Sequence, residues 1–595
     1  MSIAQNFSTT SPSLSLDFAN VQALDPRISF SRATTATYYG TRTALAEQNL
    51  LLQSQTFETT WNAINATVGV NSTIAPDGTI TAESFTPTAT SGTHSLQQSA
   101  GTIGVQCTFS VFAKSNGYTN IQLFADSSGN FNATFDLTAG TAASTGGAVV
   151  SIVNVGSGWY RCIATFTQTA STRLNISGFP TGATASNFGN TFTGDGTSGV
   201  FLWGAQLEQR STVTAYQVTT TQPVTNYIPV LETAASGVAR FDHNPTTFES
   251  LGLLIEEQRT NLLTYSEQFD NAAWVKLDAT ATANTIIAPD GTLTGDQITG
   301  NGTTNPHFIR QTISATGSTI HTFSLYLKQG TERYAYLVLL GRSVTDDNGD
   351  VAWIDLQTGT ISTSTGSGTS ATITLVGNGW YRVTMPTSAY PSSAQIEARV
   401  GVTSVSGGQA TLVSGYIFAW GAQLEAGAFS TSYIPTVASQ VTRAADAASM
   451  TGTNFSSWYN QAQGTLYVDA KKADFAGLRI AAVNDNTANN RMDIIFDGNE
   501  KAIVITNNVL QAQLNPTNLF ANQYNKAAFS YQSNLVSMSL NNSIVVTDTS
   551  NVIPVVDRLF IGSRDGVSFF INGTIKKVSY YPIRLSDANL QALTT

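Results

Sequence analysis

The chain of 595 residues spells nearly the same text twice. Residues 155–162 read VGSGWYRC and residues 376–383 read VGNGWYRV. Four further stretches recur in the same order. NLLLQSQTF (49–57) returns as NLLTYSEQF (261–269), and IAPDGTI (74–80) as IAPDGTL (287–293). TFSVFAK (108–114) returns as TFSLYLK (322–328), and FLWGAQLEQ (201–209) as FAWGAQLEA (418–426). The spacing between copies drifts by only a few residues, as it does when loops of one fold differ in length. The repeat therefore marks a duplicated domain, over 49–226 and 261–442. Two copies of this size are a tandem pair, since a solenoid needs shorter and more numerous units.

Each copy is expected to be all-β. Short alternating runs such as ATFDLTAGT (133–141) and AWIDLQTGT (352–360) sit between Gly, Asn and Asp turn signals, the pattern of a sandwich or jelly roll. In the APDGT turns, Pro76 and Pro289 supply a fixed φ, and Gly78 and Gly291 a positive one. Charged residues are only 11% of the chain, so Thr, Ser, Asn and Gln carry its polar surface. Residues 443–595 form a third unit with different text, again strand-like, ending in a strand, a turn and a short helix that Ser586 is placed to cap. Residues 227–260 connect the copies and have a hydrophobic middle, which predicts a packed segment.

Several function classes are excluded or left without support. The formal charge is −10 and no Lys/Arg run exists, so no nucleic-acid partner is expected. No apolar run reaches membrane-spanning length, and the first residues lack a secretory leader pattern, which predicts a protein made in a cytoplasm without membrane insertion. Cys107 and Cys162 either pair across neighbouring strands or stay as buried thiols, the latter being preferred. No Ser nucleophile elbow, phosphate loop or dinucleotide fingerprint is present, so no catalytic residue is assigned and the chain is expected not to be an enzyme. His94, His243, His307 and His321 show no metal-ligand spacing. Glu256 and Glu257, being adjacent, face apart in a strand. DDNGD (346–350) resembles part of a calcium loop but lacks its length and terminal Glu; a hairpin turn at Asn348–Gly349 explains it better, and no cofactor is expected.

Candidate binding residues are aromatic. On a strand, Tyr160, Cys162 and Phe166 face the core, while Trp159 with Arg161, and Trp380 with Arg382, face outward. An outward aromatic beside an Arg suits stacking against a sugar ring; the competing reading is a Trp that closes the sandwich with Arg lying across it. In WGAQLE, Trp203, Ala205 and Leu207 are expected to share the core face, as are Trp420, Ala422 and Leu424. Trp353 has no aromatic counterpart in the first copy, and Tyr334 and Tyr336 share one strand face, so these three are further candidates for glycan contact. Domain packing competes with that role.

The repeated text resembles the carbohydrate-binding-like jelly rolls of bacteriophage virion appendages, proteins of the tail fibre, tailspike or head-fibre type. The matching text is NLLTYSEQF, IAPDGT, the GWYR strand, FTGDGTSGVFLWGAQLE (191–208) and TSYIPT (431–436). SLDFANVQALDPRISFSRATTATYY (15–39) and ARFDHNP…GLLIEEQRTNLL are similar to stretches that lie close together in that family. Here the first jelly roll separates them and reads as an insertion. The last 150 or so residues resemble concanavalin A/laminin-G sandwiches. The resemblance implies a virion surface protein that adsorbs to host polysaccharide, usually as a homotrimer. Residues 1–48 would then anchor it to other virion proteins. A capsid decoration or tail connector protein without glycan binding is the alternative, and a polysaccharide depolymerase a third class.

Overall fold

The computed structural model describes residues 11–100, 106–125, 131–145, 147–168, 173–183, 190–314, 319–342, 347–365, 371–386, 395–409, 411–472, 478–496, 501–521 and 523–595. They are almost entirely strand, as the sequence predicts, with three short helices among them. The chain forms two compact units. One comprises Met1–Thr43, Pro229–Asn284 and Ala288–Thr595; the other is Ala44–Ile228 with Thr285–Ile287. The first jelly roll thus interrupts the sequence of the larger unit, in keeping with its reading as an insertion.

Strand order establishes the duplication. In the first copy one six-stranded sheet runs Thr141–Thr145, Asn132–Asp136, Asn120–Ala125, Arg173–Phe179, Ser95–Ser99, Asn62–Ile64. In the second, the corresponding sheet runs Thr360–Thr365, Asp347–Asp355, Tyr334–Arg342, Gln395–Thr403, His307–Ser314, Val275–Leu277. The facing sheets also agree strand for strand, with Gln106–Asn116 and His321–Gln329 as their central strands. Alternation builds each core. Phe323, Leu325 and Leu327 point inward and are fully buried, while Thr322, Ser324 and Tyr326 point the other way. Each such apolar side chain contributes roughly 1.5–3 kcal/mol on burial.

Polar joints repeat as faithfully as the apolar rows. The Asn261 amide donates to the carbonyls of Ala422 and Ile434, and its oxygen accepts from Leu263 and Leu424. Asn49 does the same with Ala205, Gln217, Leu51 and Leu207. His94 and His307 each place Nδ1 2.6 Å from a backbone carbonyl, of Asn65 and Asp278. The turn glycines Gly78 and Gly291 have φ of 84° and 82°, as APDGT requires.

One expectation about facing is corrected. Trp203 does not share a face with Ala205 and Leu207: a bulge at Gly204, φ 62°, breaks the alternation. Ala205 and Leu207 enter the core between the sheets, while Trp203 packs outside with Trp159 and Phe112. The second copy repeats the bulge at Gly421, φ 64°, and Trp420 packs on Tyr326 and Tyr433. A bulge adds one residue to a strand and so re-aims every side chain on one side of it. Cys107 and Cys162 are buried on adjacent strands, offset by four residues in register (Cys107 lies opposite Phe166, and Cys162 opposite Val111). They form no disulfide, and burial pushes the Cys107 thiol up to about 11.

The last sandwich is assembled from three separated parts of the chain. Its eight-stranded sheet includes Arg240–His243 and Ser250–Ile255 from the connector, and Leu14–Asp17 paired with Gly573–Tyr581. Its seven-stranded sheet begins with Ser29–Ser31 beside Ala447–Thr451. Leu14–Asp17 and Ser29–Ser31, within the stretch 1–48 expected from the sequence as an anchoring segment, therefore give strands to this sandwich. Leu14 and Leu16 alternate into its core, which is why the segment is held. Ser586 caps the terminal helix Asp587–Leu593, accepting from Asn589 N at 3.3 Å.

A buried ionic cluster ties these parts to the second jelly roll. Arg240 donates to Asp446 at 2.5 Å and to Glu256 at 2.8 Å. Arg32 reaches the other oxygen of Asp446 at 3.0 Å, and Arg443 lies 3.6 Å from Glu256. Glu256 also accepts from the backbone and hydroxyl of Ser432, both at 2.7 Å. Burial alone would raise the Glu256 carboxyl; Arg443 and Arg240 outweigh it and hold it at about 2. Removing one member of such a cluster strands the others in low dielectric. Asp446→Ala is expected to lower stability by about 3–5 kcal/mol, read as a lower denaturation midpoint. A folded value below the ordinary 4.5 means that stability from Glu256 is present above about pH 4.5 and is lost as pH falls towards 2. Acid titration of Glu256→Gln should lack that component.

Candidate functional site

The larger unit contains a cavity of about 460 Å3, within the range of small-ligand sites. Its floor is the outer face of the second jelly roll, at the edge of one sheet. There Thr374 lies directly opposite Arg382, and Thr372 opposite Thr384, in the pairing of Thr372–Leu375 with Trp380–Pro386. Period-two alternation puts these four polar side chains on one face, because Ile373, Val383 and Met385 between them pack against the core. The loop Ala428–Tyr433 forms one wall and brings Phe429 and Ser430. Tyr38 and Tyr39, with Asp242, Leu254 and Glu256, also line it.

Arg382 is the central polar group. Its Nη2 donates to the Thr431 carbonyl at 2.6 Å and to Ser324 Oγ at 3.2 Å. Its guanidinium carbon lies 5.6 Å from the centroid of the Tyr326 ring, a cation–π distance. Its Nε–H is buried and meets no acceptor. Asp242 accepts from Tyr39 N at 2.8 Å. Burial drives its carboxyl up, against the pull of that hydrogen bond and of Arg240, to about 7. The cavity therefore offers a fixed cation, the Glu256 carboxylate, an Asp242 carboxyl that keeps its proton up to near neutrality, several hydroxyls and the aromatic rings of Tyr38, Tyr39, Tyr326, Phe429 and Tyr433.

The residues singled out from the sequence fall into three places. Arg382 lines the cavity. Trp380 is fully buried and Trp159 is 1% exposed, with its indole N–H donated to the Ile74 carbonyl at 3.1 Å. Arg161 lies 5.1 Å from the Phe112 ring and donates to the Thr214 carbonyl at 2.7 Å. Neither Trp presents a ring face to solvent, and each arginine lies over a different ring, Arg161 over Phe112 and Arg382 over Tyr326. Tyr336 and Trp353 are cross-strand partners on the outer face of the other sheet of the second copy. They form a small apolar cluster with Phe308, Val338 and Leu340, and both are buried. Tyr336 lies flat because Gly401 opposite it has no side chain: a Cβ there would come 2.1 Å from the ring. Tyr334 remains half-buried, with the Arg333 guanidinium 5.1 Å from its ring centroid.

Thr372, Thr374, Tyr38, Asp242 and Phe429 were not singled out from the sequence. The Thr-Ile-Thr-Leu alternation at 372–375 was a local sign of a polar outer face. Nothing local joins it to Tyr38 or Asp242, which come from more than a hundred residues away. The DDNGD stretch is described only in part. Asn348 and Gly349 pair within strand Asp347–Asp355, opposite Gly341 and Leu340. They are therefore not the turn expected from the sequence; residues 343–346 lie outside the described residues. Among the described residues no group of three or more His, Cys, Asp or Glu side chains is placed to hold a metal ion. No helix among them is long and apolar enough to cross a membrane.

Fold and cavity together define a protein built of β-sandwiches, the larger unit of which has a hydroxyl-lined cleft. No protein-family model matches the chain, and no curated protein matches it. Among solved structures it is similar to the CBM40 of the Ruminococcus gnavus IT-sialidase bound to α2,3-sialyllactose. That match has 18% identity and a TM-score of 0.22, covering 24% of this chain and 88% of that one. It is also similar to the CBM22-1–CBM22-2 tandem domain of Paenibacillus barcinonensis Xyn10C, with 11% identity, a TM-score of 0.19, and 65% and 100% covered. Trypanosoma rangeli sialidase matches at 8% identity and a TM-score of 0.20, with 96% and 98% covered. Scores this low carry no ligand or reaction over to this chain. The expectation that the chain is not an enzyme is nevertheless withdrawn, because sialidases stand among its matches.

Asp242 supplies a test of the cavity's electrostatics. Its folded value is raised, so its contribution to stability is full below about pH 3.8 and is lost as pH rises through about 7. Melting temperature should fall over that interval, and Asp242→Asn should flatten the slope.

Proposed function

We propose that this chain binds saccharides, and that the cavity beside Arg382 is where a sugar is held. The observation that carries the reading is the lining itself. Hydroxyls of Thr372, Thr374, Thr384 and Ser430 stand beside the rings of Tyr38 and Phe429. Saccharides are recognised by that combination: ring faces against their C–H surfaces, and short polar groups to their hydroxyls. Such contacts are individually weak, and presenting several sites on one assembly raises avidity without any new contact.

The finer reading rests on the sequence resemblance alone. It makes the chain a bacteriophage virion surface protein of the tail-fibre, spike or head-fibre type, assembled as a homotrimer and adsorbing to host surface polysaccharide. Immunolabelling of particles would place it on head or tail, and light scattering would give the number of copies. Absence of label from the particles sinks this part and leaves the cavity reading standing.

The cavity reading has its own test. Purified full-length chain is expected to retain host polysaccharide on affinity electrophoresis. Thr374→Trp, which fills the cavity from an exposed position, should abolish the retardation with the melting temperature unchanged. Retardation that survives the substitution would place the sugar elsewhere.

A further inference from the structure

We infer that the saccharide taken by this cavity is acidic, a sugar acid whose carboxylate is received by Arg382. The inference rests on the saccharide reading above and adds the chemical class of the ligand.

Charge around the cavity is unevenly matched. Glu256 is fully engaged by Arg240, Arg443 and Ser432. Behind it, the three guanidiniums of Arg32, Arg240 and Arg443 meet only two carboxylates, those of Glu256 and Asp446. Arg382 has no carboxylate partner among the described residues. Its hydrogen bonds go to a carbonyl and a hydroxyl, both neutral. A partly buried cation with neutral partners is costly. A carboxylate relieves that cost, since the guanidinium fork matches it in geometry and charge. A neutral sugar hydroxyl leaves the charge unanswered.

The sister module separates what the fold requires from what the cavity adds. Arg161 occupies the matching post, bonded to the Thr214 carbonyl and to Ser110 Oγ and lying over Phe112. Holding an arginine over an aromatic ring beside this loop is thus part of the common fold. In the second copy that post opens into a cavity, and Asp242, which also lines it, has its carboxyl raised by burial towards the neutral form. A neutral carboxyl does not repel an incoming carboxylate.

The experiment uses the full chain and a panel of oligosaccharides in pairs. Each uronic or nonulosonic acid oligomer is set beside its carboxyl-reduced or unsubstituted counterpart, and binding is measured calorimetrically at two salt concentrations. The acidic member of at least one pair should bind ten-fold or more tighter, and the advantage should shrink as salt rises. Arg382→Gln should bring the acidic member down to the level of its neutral partner; Arg382→Lys, which keeps the charge but loses the fork, should fall between. A melting curve for each variant checks that it folds, and the paired-ligand comparison on the unmodified protein stands if one does not. Equal or tighter binding of the neutral members, or binding of sulfated saccharides alone, overturns the inference and leaves the saccharide reading intact. If no member of any pair binds, the saccharide reading itself falls.

Discussion

Arg240 is the residue on which the larger unit depends. It comes from the connector, it is buried, and it bonds at once to Asp446 and Glu256. Through Asp446 it meets Arg32 from the start of the chain, and through Glu256 it meets Ser432 of the second jelly roll. Segments hundreds of residues apart are therefore held in one low-dielectric knot, where no member can be removed without stranding another charge. Such a knot adds less net stability than apolar packing of the same volume, but it tolerates only one arrangement of its parts. The cavity is a consequence. Glu256, Asp242 and Tyr39 line it together with Arg382 because the segments that carry them are held beside this cluster.

The two jelly rolls show which features this fold holds constant. Both keep the asparagine that bridges the chain entry to the WGAQLE strand, the glycine bulge that turns a Trp outward, and the histidine seated on a backbone carbonyl. The outer face of the sheet containing Tyr334–Arg342 is not held constant. Where the second copy has Tyr336, Trp353, Arg399 and Gly401, the first has Gln122, Thr134, Asn175 and Ser177 at the equivalent register. An aromatic and guanidinium surface thus replaces an amide and hydroxyl surface on one backbone. The inward rows are bound by packing, whereas the outer face is free to change its chemistry.

Much of this architecture was legible along the chain. The duplication, the APDGT turns, the Ser586 cap and the all-β class follow from local text and period-two alternation. Arg382 could be named because its motif occurs twice. The partners of Arg382 could not. Tyr38 and Asp242 approach it only after the connector has joined the last sandwich, and no periodicity records that. The facing of Trp203 and Trp420 was misread for a related reason, since one added residue at a glycine reverses an alternation that otherwise looks regular. Burial of Trp353 and Tyr336 was hidden as well, because a bare glycine on the neighbouring strand lets a ring lie flat.

The sequence by itself determined the kind of element and its repetition: strands, turns, and two bodies of one fold. These depend on short-range sterics and on the alternation of apolar side chains, which nearby residues settle among themselves. Only the tertiary structure decided that Leu14–Asp17, Ser29–Ser31 and the connector complete the last sandwich, and that Arg382 faces a cavity. Those outcomes depend on which distant charges share one buried volume, and the free energy of a charge is set by everything that surrounds it in three dimensions.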